Sequence, residues 1–155
     1  VLPREVTTLH AVEPSEVARA RARRRERPTG LEVRHVGVDG ESLPLEDHTC
    51  DAALTTFTLC TIPDVERALA ELRRVVRPGG RIHFLEHGLA PDEDVRRWQR
   101  RLEPVQRRVA GGCHLTRDTP ALLTDAGFEL ERVEARYAKG PKPWTWFTVG
   151  TARTP

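Results

Sequence analysis

Residues 51–88 read DAALTTFTLCTIPDVERALAELRRVVRPGGRIHFLEHG and decide the fold. An apolar segment opens this stretch, an amphipathic segment follows, and a Pro-Gly-Gly turn leads into a second apolar segment. Two parallel strands need a crossover of this kind between them, and the crossover is usually a helix. The stretch therefore predicts a complete strand–helix–strand unit.

The helix of this unit is predicted over residues 64–76. Its apolar side chains recur at helical spacing on one face, and its charged side chains lie on the other. Asp64 is typical of a helix start, and Pro78 with the two glycines after it is typical of a helix end. The flanking strands are predicted over residues 50–57 and 81–86, and the first is apolar enough for a sheet covered on both faces.

The rest of the chain continues this alternation of strands and helices. Ser15 is expected to cap a helix that reaches Arg27, and Pro104 to interrupt a helix over residues 92–109. Thr116 is expected to cap a helix that ends at Gly127. The remaining strands are predicted over residues 6–12, 31–38, 128–137 and 146–152, the last two as an antiparallel hairpin. This order indicates an α/β sandwich with a mostly parallel sheet, as a single domain over residues 1–155.

Composition argues against several classes of function. The 155 residues carry a net charge of only +2, which makes no case for binding nucleic acid or an anionic membrane. No apolar run reaches the roughly 18 residues of a membrane span, and no signal-peptide pattern opens the chain. Three cysteines without a C-x-x-C spacing predict neither a disulfide framework nor a metal site, and Cys60 reads as a buried small hydrophobe. We therefore expect a cytoplasmic protein without an integral membrane segment.

An acid follows the first predicted strand. Ligands of open α/β sheets bind beyond the carboxyl ends of the strands. Glu13 has this position, and a carboxylate there can accept hydrogen bonds from both hydroxyls of a ribose. Acids at strand ends are also common in turns, so Glu13 alone leaves both interpretations open.

Two motifs resemble a known family. The turn Arg77-Pro78-Gly79-Gly80 resembles the L-[RK]-P-G-G turn of class I S-adenosylmethionine-dependent methyltransferases, and D-G-E-S-L-P-L over residues 39–45 resembles their G-D-A-E-x-L-P-F stretch. The resemblance implies a Rossmann-like sandwich and S-adenosylmethionine as cofactor. It makes Asp39, Gly40 and Glu41 candidates for binding the adenine. An Asx turn at Asp39 is the alternative, but it leaves residues 43–45 unexplained.

The same resemblance implies that the end of the third strand lies beside the sulfonium of the cofactor. The residues concerned are Thr56, Phe57, Thr58 and Leu59. An apolar lining suits a cation that is desolvated before transfer, and an aromatic ring offers its face to the positive sulfur. For Phe57, core packing is an equal alternative.

The acceptor is expected to be a small molecule. The motif [DNS]-P-P-[YF], typical of methyltransferases that act on nucleic-acid and protein nitrogens, is absent. The runs F-T-L-C-T-I-P-D, H-F-L-E-H and G-G-C-H-L-T-R are most similar to small-thiol S-methyltransferases, and next to phospholipid N-methyltransferases. The methylated atom, the oligomeric state and peripheral contact with a membrane stay open.

Glu86, His87 and His114 are the candidates for contacting the acceptor, and the two histidines are the candidate catalytic residues. A histidine can take a proton near neutral pH, although a structural hydrogen bond is the simpler role. Trp98, Trp144 and Trp146 could wall the acceptor pocket or pack in the usual way.

The family's first strand and its glycine-rich E-x-G-x-G loop should precede Glu13, and nothing in residues 1–12 matches them. We therefore expect an N-terminally truncated domain. Without that central strand, the strands over residues 6–12 and 50–57 pair directly or leave backbone groups unpaired.

The leading hypothesis is methyl transfer from S-adenosylmethionine to a small acceptor. A second hypothesis is a non-catalytic remnant of such a domain that acts as an interaction or regulatory module. An arginine-rich helix that binds nucleic acid and an NAD-dependent oxidoreductase are weaker alternatives, because the near-neutral charge and the Pro-Gly-Gly turn argue against them.

Overall fold

The computed structural model describes residues 5–24 and 30–155, and the helices and strands alternate as expected. The predicted end of the first helix near Arg27 lies outside the described residues. The α/β class is confirmed. The elements are β1 (Thr8–Val12), α1 (Glu16–Arg23), β2 (Glu32–Gly37), β3 (Cys50–Thr56), α2 (Val65–Val75), β4 (Val76–His87), α3 (Glu93–Val109), α4 (Thr119–Asp125), β5 (Glu129–Tyr137), a 3-10 turn (Lys142–Trp144) and β6 (Trp146–Arg153).

The strands of the described residues form two sheets. One holds β1 and β2 in parallel, and the other has the order β3-β4-β6-β5. In the second sheet β3 and β4 are parallel, whereas β6 runs antiparallel to both β4 and β5. The predicted C-terminal hairpin is therefore confirmed. Two of the four described strand pairs are parallel and two are antiparallel, so the sheets taken together are mixed. Among the described strands β1 pairs only with β2, so the direct pairing of β1 with β3 that was one of the two expected outcomes does not occur.

The strand–helix–strand unit forms the core. Asp64 caps α2 by accepting a hydrogen bond from the backbone N–H of Arg67 at 3.0 Å. The apolar face of the helix packs on the middle of β4, where Ile82 and Phe84 are almost fully buried. Each such side chain contributes about 1.5–3 kcal/mol by leaving water. The core residues are Leu59, Val65, Leu69, Val75, Val76, Ile82, Phe84, Leu123, Phe128 and Ala152.

The Pro-Gly-Gly turn lies within β4, where residues 77–80 are inserted between two residues that pair with β3. The partners along β3 and β4 pass from Cys50 and Val76 directly to Ala52 and Arg81. Gly79 has a φ of 76°, which favours glycine. At Gly80 a Cβ would lie 2.6 Å from the Val76 side chain and 2.7 Å from the Asp51 carbonyl oxygen. The turn therefore needs its second glycine for space.

Only one face of the larger sheet is covered by the described helices. Alternate residues of β4 from Gly80 to Glu86 are buried, while those between them are exposed or half-buried. On the uncovered face Leu54 of β3 is 62% exposed and Val149 of β6 is 40% exposed. The expectation that both faces of β3 are covered is thus wrong for residues 5–24 and 30–155. It was based on the apolar run of β3, which does not distinguish a strand covered on one face from a strand covered on both.

Two features of the helices differ from the prediction, the role of Pro104 in α3 and the cap of α4. The helix α3 continues through Pro104, which is exposed, so the carbonyl four residues earlier can meet water instead of an N–H. Asp118, not Thr116, caps α4 and accepts a hydrogen bond from the Ala121 N–H at 3.2 Å. The backbone N–H of Thr116 instead donates to Glu103. No helix in the described part of the chain combines the length and the apolar character needed to cross a bilayer.

The loop after β2 is fastened to α2 by an ion pair. Glu71 accepts a hydrogen bond from the Leu43 N–H at 2.7 Å. The Arg74 guanidinium bonds to Glu71, at 2.8 Å, and to the carbonyls of Leu43 and Leu45. The hydrogen bond from Arg74 lowers the pKa of Glu71 to about 2. Partial burial opposes this shift, and the hydrogen bond from the Leu43 N–H adds to it. This pair fixes the segment that carries Asp39.

Replacing Gly80 by alanine is expected to destabilise the protein by about 1–3 kcal/mol, because the new Cβ would overlap backbone atoms that cannot move away. Urea unfolding measures the loss. Gly37→Ala is the matched control, since the nearest atom to its Cβ, in Pro44, is 3.5 Å away. Equal losses in the two variants would contradict the packing argument.

Acid is expected to weaken the fold partly through Glu71. Its pKa is lowered from 4.5 to about 2 in the folded state, so its contribution is complete above pH 4.5 and is lost as the pH falls towards 2. Allowing for partial exposure, we expect roughly 2 kcal/mol from this group. Unfolding of Glu71→Gln should therefore depend less on pH in that window than unfolding of the native chain. Glu66→Gln, exposed on the same helix, should keep the native profile.

Candidate functional site

The two acids proposed from the sequence lie at neighbouring strand ends. Val12 is paired with Gly37 in the parallel β1–β2 sheet, and the Glu13 N–H donates to the Gly37 carbonyl at 3.3 Å. Glu13 comes directly after β1, and Asp39 is two residues past the end of β2. Both acids therefore lie at the carboxyl edge of one sheet, where α/β folds bind ligands.

Each acid also has a local hydrogen bond. Oε1 of Glu13 accepts from the Ser15 N–H at 2.8 Å, at the start of α1. Oδ1 of Asp39 accepts from the Glu41 N–H at 2.8 Å, which is the Asx turn considered above as an alternative. In both carboxylates this local bond involves one oxygen, so the turn and a ligand contact are compatible.

Gly40 and Glu41 join this edge to the loop after β3. Glu41 Oε1 accepts from the Asp64 N–H at 2.9 Å, at the start of α2. A Cβ on Gly40 would lie 2.9 Å from the Ile62 side chain. The carboxyl ends of β2 and β3 therefore meet, although their strands belong to different sheets.

The loop after β3 is held by a buried carboxylate. Glu86 is fully buried, and its two oxygens accept from the N–H groups of Thr58, at 3.2 Å, and Cys60, at 3.1 Å. The prediction that Glu86 contacts the acceptor is therefore wrong, because its carboxylate is used inside the protein. Phe57 has a φ of 52°, a conformation that costs a non-glycine residue about 1–3 kcal/mol and is typical of functional sites.

The residues expected beside the sulfonium differ in their surroundings. Thr56, Phe57 and Thr58 are exposed at the end of β3. Leu59 lies in the hydrophobic core at 1% exposure, so only its main chain borders the site. Its carbonyl accepts a hydrogen bond from Arg117 at 2.7 Å, and Arg117 also bonds to two further carbonyls of this loop. Burial lowers the pKa of Arg117.

His87 lies in an aromatic cluster on the uncovered face of the sheet. Its ring stacks on Phe147, with centroids 4.8 Å apart, and Phe57 lies 5.1 Å from it in a tilted arrangement. His87 and Phe147 are directly opposite each other on β4 and β6. Sequence analysis did not identify Phe147, because the pairing of β4 with the last strand is visible only in the fold.

Two cysteines meet His87. Cys113 Sγ lies 3.8 Å from Cys60 Sγ and 3.3 Å from His87 Nδ1. Cys60 is fully buried, and Cys113 is 6% exposed. The hydrogen bond between the sulfurs lowers the pKa of Cys113 to about 7 and, with burial, raises that of Cys60. No sequence spacing signals this cluster, because its members lie on three separate segments.

The side chains of His114 and of the tryptophans have other partners than that cluster. The Nδ1 of His114 is 2.9 Å from Glu103, while its backbone N–H donates to the Cys60 carbonyl. Trp98 is 55% exposed and contacts Arg101. Trp144 donates to Gln106. Trp146 packs edge-on against Tyr137. The catalytic role of His87 and His114 stays a prediction.

Curated relatives are named for methyl transfer. The chain is 35% identical over 113 residues to thiol S-methyltransferase TMT1B of Rattus norvegicus, covering 72% of this chain and 45% of that protein. It is 45% identical over 65 residues to demethylmenaquinone methyltransferase of Thermus thermophilus, covering 42% of this chain and 30% of that one. The chain spans about half the length of the thiol S-methyltransferases that it matches.

Solved structures share the fold. A structure described as a putative methyltransferase from Bacillus halodurans superimposes with a TM-score of 0.73 at 16% identity, covering 96% of this chain and 83% of that one. A S-adenosylmethionine-dependent methyltransferase from Mesorhizobium loti gives 0.67 at 23% identity, with 95% and 80% covered. These likenesses establish the Rossmann-like methyltransferase fold.

A family described as "Methyltransferase domain" matches residues 1–84, which is more than half of the 155 residues. This match includes both acids, β3, α2 and β4 as far as Phe84. S-adenosylmethionine is the cofactor that this family and these structures imply. The chain belongs to the methyltransferase domain family.

Proposed function

We propose that this chain takes part in the methylation of a small thiol by S-adenosylmethionine. The observation that carries the proposal is the position of Glu13 and Asp39 at adjacent strand ends, next to the loop after β3. When bound, the cofactor supplies a methyl group on a positively charged sulfur. The chain's own residues would bind it, orient it and exclude water.

The donor set fits the nucleoside part of the cofactor. A ribose diol and an adenine amino group are hydrogen-bond donors, and each requires an acceptor. Glu13 would accept from the ribose with its second oxygen, while its first stays on Ser15. Asp39 would accept from the adenine in the same manner, because its Asx turn uses one oxygen. Phe57, 43% exposed, would offer its ring to the sulfonium.

A thiol acceptor is supported by the relatives and by the surroundings of His87. Four of the similar proteins are named thiol S-methyltransferases, three TMT1B proteins and one TMT1A. Phe57 and Phe147 beside the imidazole make an apolar wall, which suits a small sulfur compound better than a strongly hydrated acceptor. The wall lies at the same edge of the sheet as the candidate sulfonium residues, because β3 and β4 end there and the antiparallel β6 begins there.

Removing the charge of either acid should weaken cofactor binding. Glu13→Gln and Asp39→Asn keep the oxygen that serves the local turn but replace the charged acceptor, so each should raise the Kd of S-adenosylhomocysteine roughly tenfold or more. Isothermal titration calorimetry measures the Kd. Glu16→Gln is the control, since the Glu16 side chain is 92% exposed on α1.

The calorimetric result also separates the two leading hypotheses. A folded chain without affinity for S-adenosylhomocysteine would contradict the proposal and favour an interaction module. Binding that is unaffected by either substitution would show that the nucleoside lies elsewhere.

The acceptor class is tested by product analysis. With S-adenosylmethionine carrying a deuterated methyl group, 2-mercaptoethanol should be methylated on sulfur at least about a hundredfold faster than ethylene glycol, because a thiol is far more acidic than an alcohol and its thiolate is intrinsically very nucleophilic. Mass spectrometry identifies the product. Equal labelling of both compounds, or labelling of a quinol in preference to the thiol, would contradict a thiol acceptor.

A further inference from the structure

The cluster of Cys60, His87 and Cys113 has the composition of a metal site. One ligand atom from each residue lies within 4.8 Å of the others. The two sulfurs are 3.8 Å apart, and the sulfur of Cys113 is 3.3 Å from Nδ1 of the imidazole. Thiolate and imidazole are the ligands that zinc prefers in proteins.

The spacing also agrees with zinc. A tetrahedral ion with Zn–S and Zn–N bonds of about 2.3 and 2.0 Å holds two sulfurs about 3.8 Å apart, and a sulfur and a nitrogen about 3.5 Å apart. The two measured edges of the cluster differ from these values by a few tenths of an ångström at most. The remaining distance, between Cys60 and His87, is at most 4.8 Å.

We propose that Cys60, Cys113 and His87 bind a zinc ion whose fourth coordination position is open to a thiol from outside the chain. Three protein ligands with one free position are the pattern of catalytic rather than structural zinc sites. The thiol half of this inference rests on the proposed function, whereas the zinc half does not.

The ligands are held in place by contacts outside the cluster. The Cys60 backbone is fixed on both sides, since its N–H donates to Glu86 and its carbonyl accepts from the His114 N–H at 2.6 Å. The ring of His87 is fixed by stacking on Phe147. Such supporting contacts orient ligands and typically change metal affinity about 10–100-fold when they are removed.

The charges around the cluster are compatible with a cation. The buried Glu86 carboxylate lies directly behind Cys60. Arg117 is the opposing charge, but its guanidinium is used by the carbonyls of Leu59, Ile62 and Pro63. Half-buried His87 faces the uncovered side of the sheet, which gives the ion access from solvent.

A thiol bound at the open position would react as a thiolate. Zinc displaces the proton of each thiol that it binds, so Cys60, Cys113 and the incoming thiol ligate as thiolates and their protons pass to solvent. In the transfer, a new bond forms between the acceptor sulfur and the methyl carbon, and the bond from that carbon to the sulfonium breaks, its electron pair staying on the departing sulfide. The methylated product is a neutral thioether, a weaker ligand that leaves the ion.

Metal binding is tested on the reduced full chain. Titration with Co²⁺, followed by competition with Zn²⁺, should give one tight site with the intense visible bands of a tetrahedral ion and a sulfur-to-cobalt charge-transfer band. Cys113→Ser, Cys60→Ser and His87→Gln each remove a direct ligand, so each should weaken Zn²⁺ binding by at least the roughly 100-fold at the upper end of what loss of a supporting contact costs. Cys50→Ser, which removes the cysteine outside the cluster, should bind as the native chain does.

Thermal unfolding distinguishes a variant that has lost zinc binding from one that fails to fold. Zn²⁺ should raise the midpoint of the native chain and of Cys50→Ser, and the rise should shrink in His87→Gln. Absence of a saturable site in the native chain, or an affinity for Zn²⁺ in the three cluster variants equal to that of the native chain, would overturn the zinc site.

The open position has its own readout. Adding 2-mercaptoethanol to the cobalt-loaded chain should increase the charge-transfer band by about half, from two thiolates to three, whereas ethylene glycol should not. No increase would overturn the thiol ligand while leaving the metal site standing. These spectra need no S-adenosylmethionine, so failure of the methyl-transfer proposal is recognised separately by calorimetry.

Discussion

The buried carboxylate of Glu86 is the constraint on which the candidate site depends. It ties the end of β4 to the loop after β3 by accepting two backbone N–H groups. Hydrogen bonds to a charged group contribute about 1.5–3 kcal/mol each, and leaving that charge buried without partners would cost more. The loop therefore cannot relax away from the strand end. This tether sets the direction of Phe57 and brings Cys60 to the sulfur of Cys113.

A second set of contacts extends this framework across the division between the sheets. Since β1 and β3 do not pair within the described residues, no backbone ladder connects the acid pair to the histidine end of the site. The connection is made by side chains instead. Glu41 binds the start of α2, and Glu71 with Arg74 binds the loop after β2 from further along the same helix. The helix α2 therefore positions both halves of the site.

The sequence predicted what local chemistry determines. The helix α2 was placed within one residue at each end, because Asp64, the apolar face and the Pro-Gly-Gly turn are neighbours in the chain. The prediction that Thr116 caps α4 was wrong, because Asp118, two residues later, accepts the capping hydrogen bond. The acids were placed correctly at one sheet edge, because parallel pairing of β1 and β2 follows from their order. The cysteine–histidine cluster was missed, since its members come from residues 60, 87 and 113 and only tertiary structure joins them.

The alternation of β4 explains how support and chemistry are separated at this site. Adjacent residues of a strand point to opposite faces of the sheet. Glu86 faces the side covered by α2, where a charge is stable only because backbone donors surround it. His87, the next residue, faces the uncovered side, where solvent, a metal ion or an acceptor can reach its ring. If the two residues were exchanged, an imidazole would be buried and the N–H groups of Thr58 and Cys60 would lose their carboxylate acceptor. The carboxylate would instead be exposed on the uncovered face. The order of Glu86 and His87 along the strand is therefore itself a condition for the site.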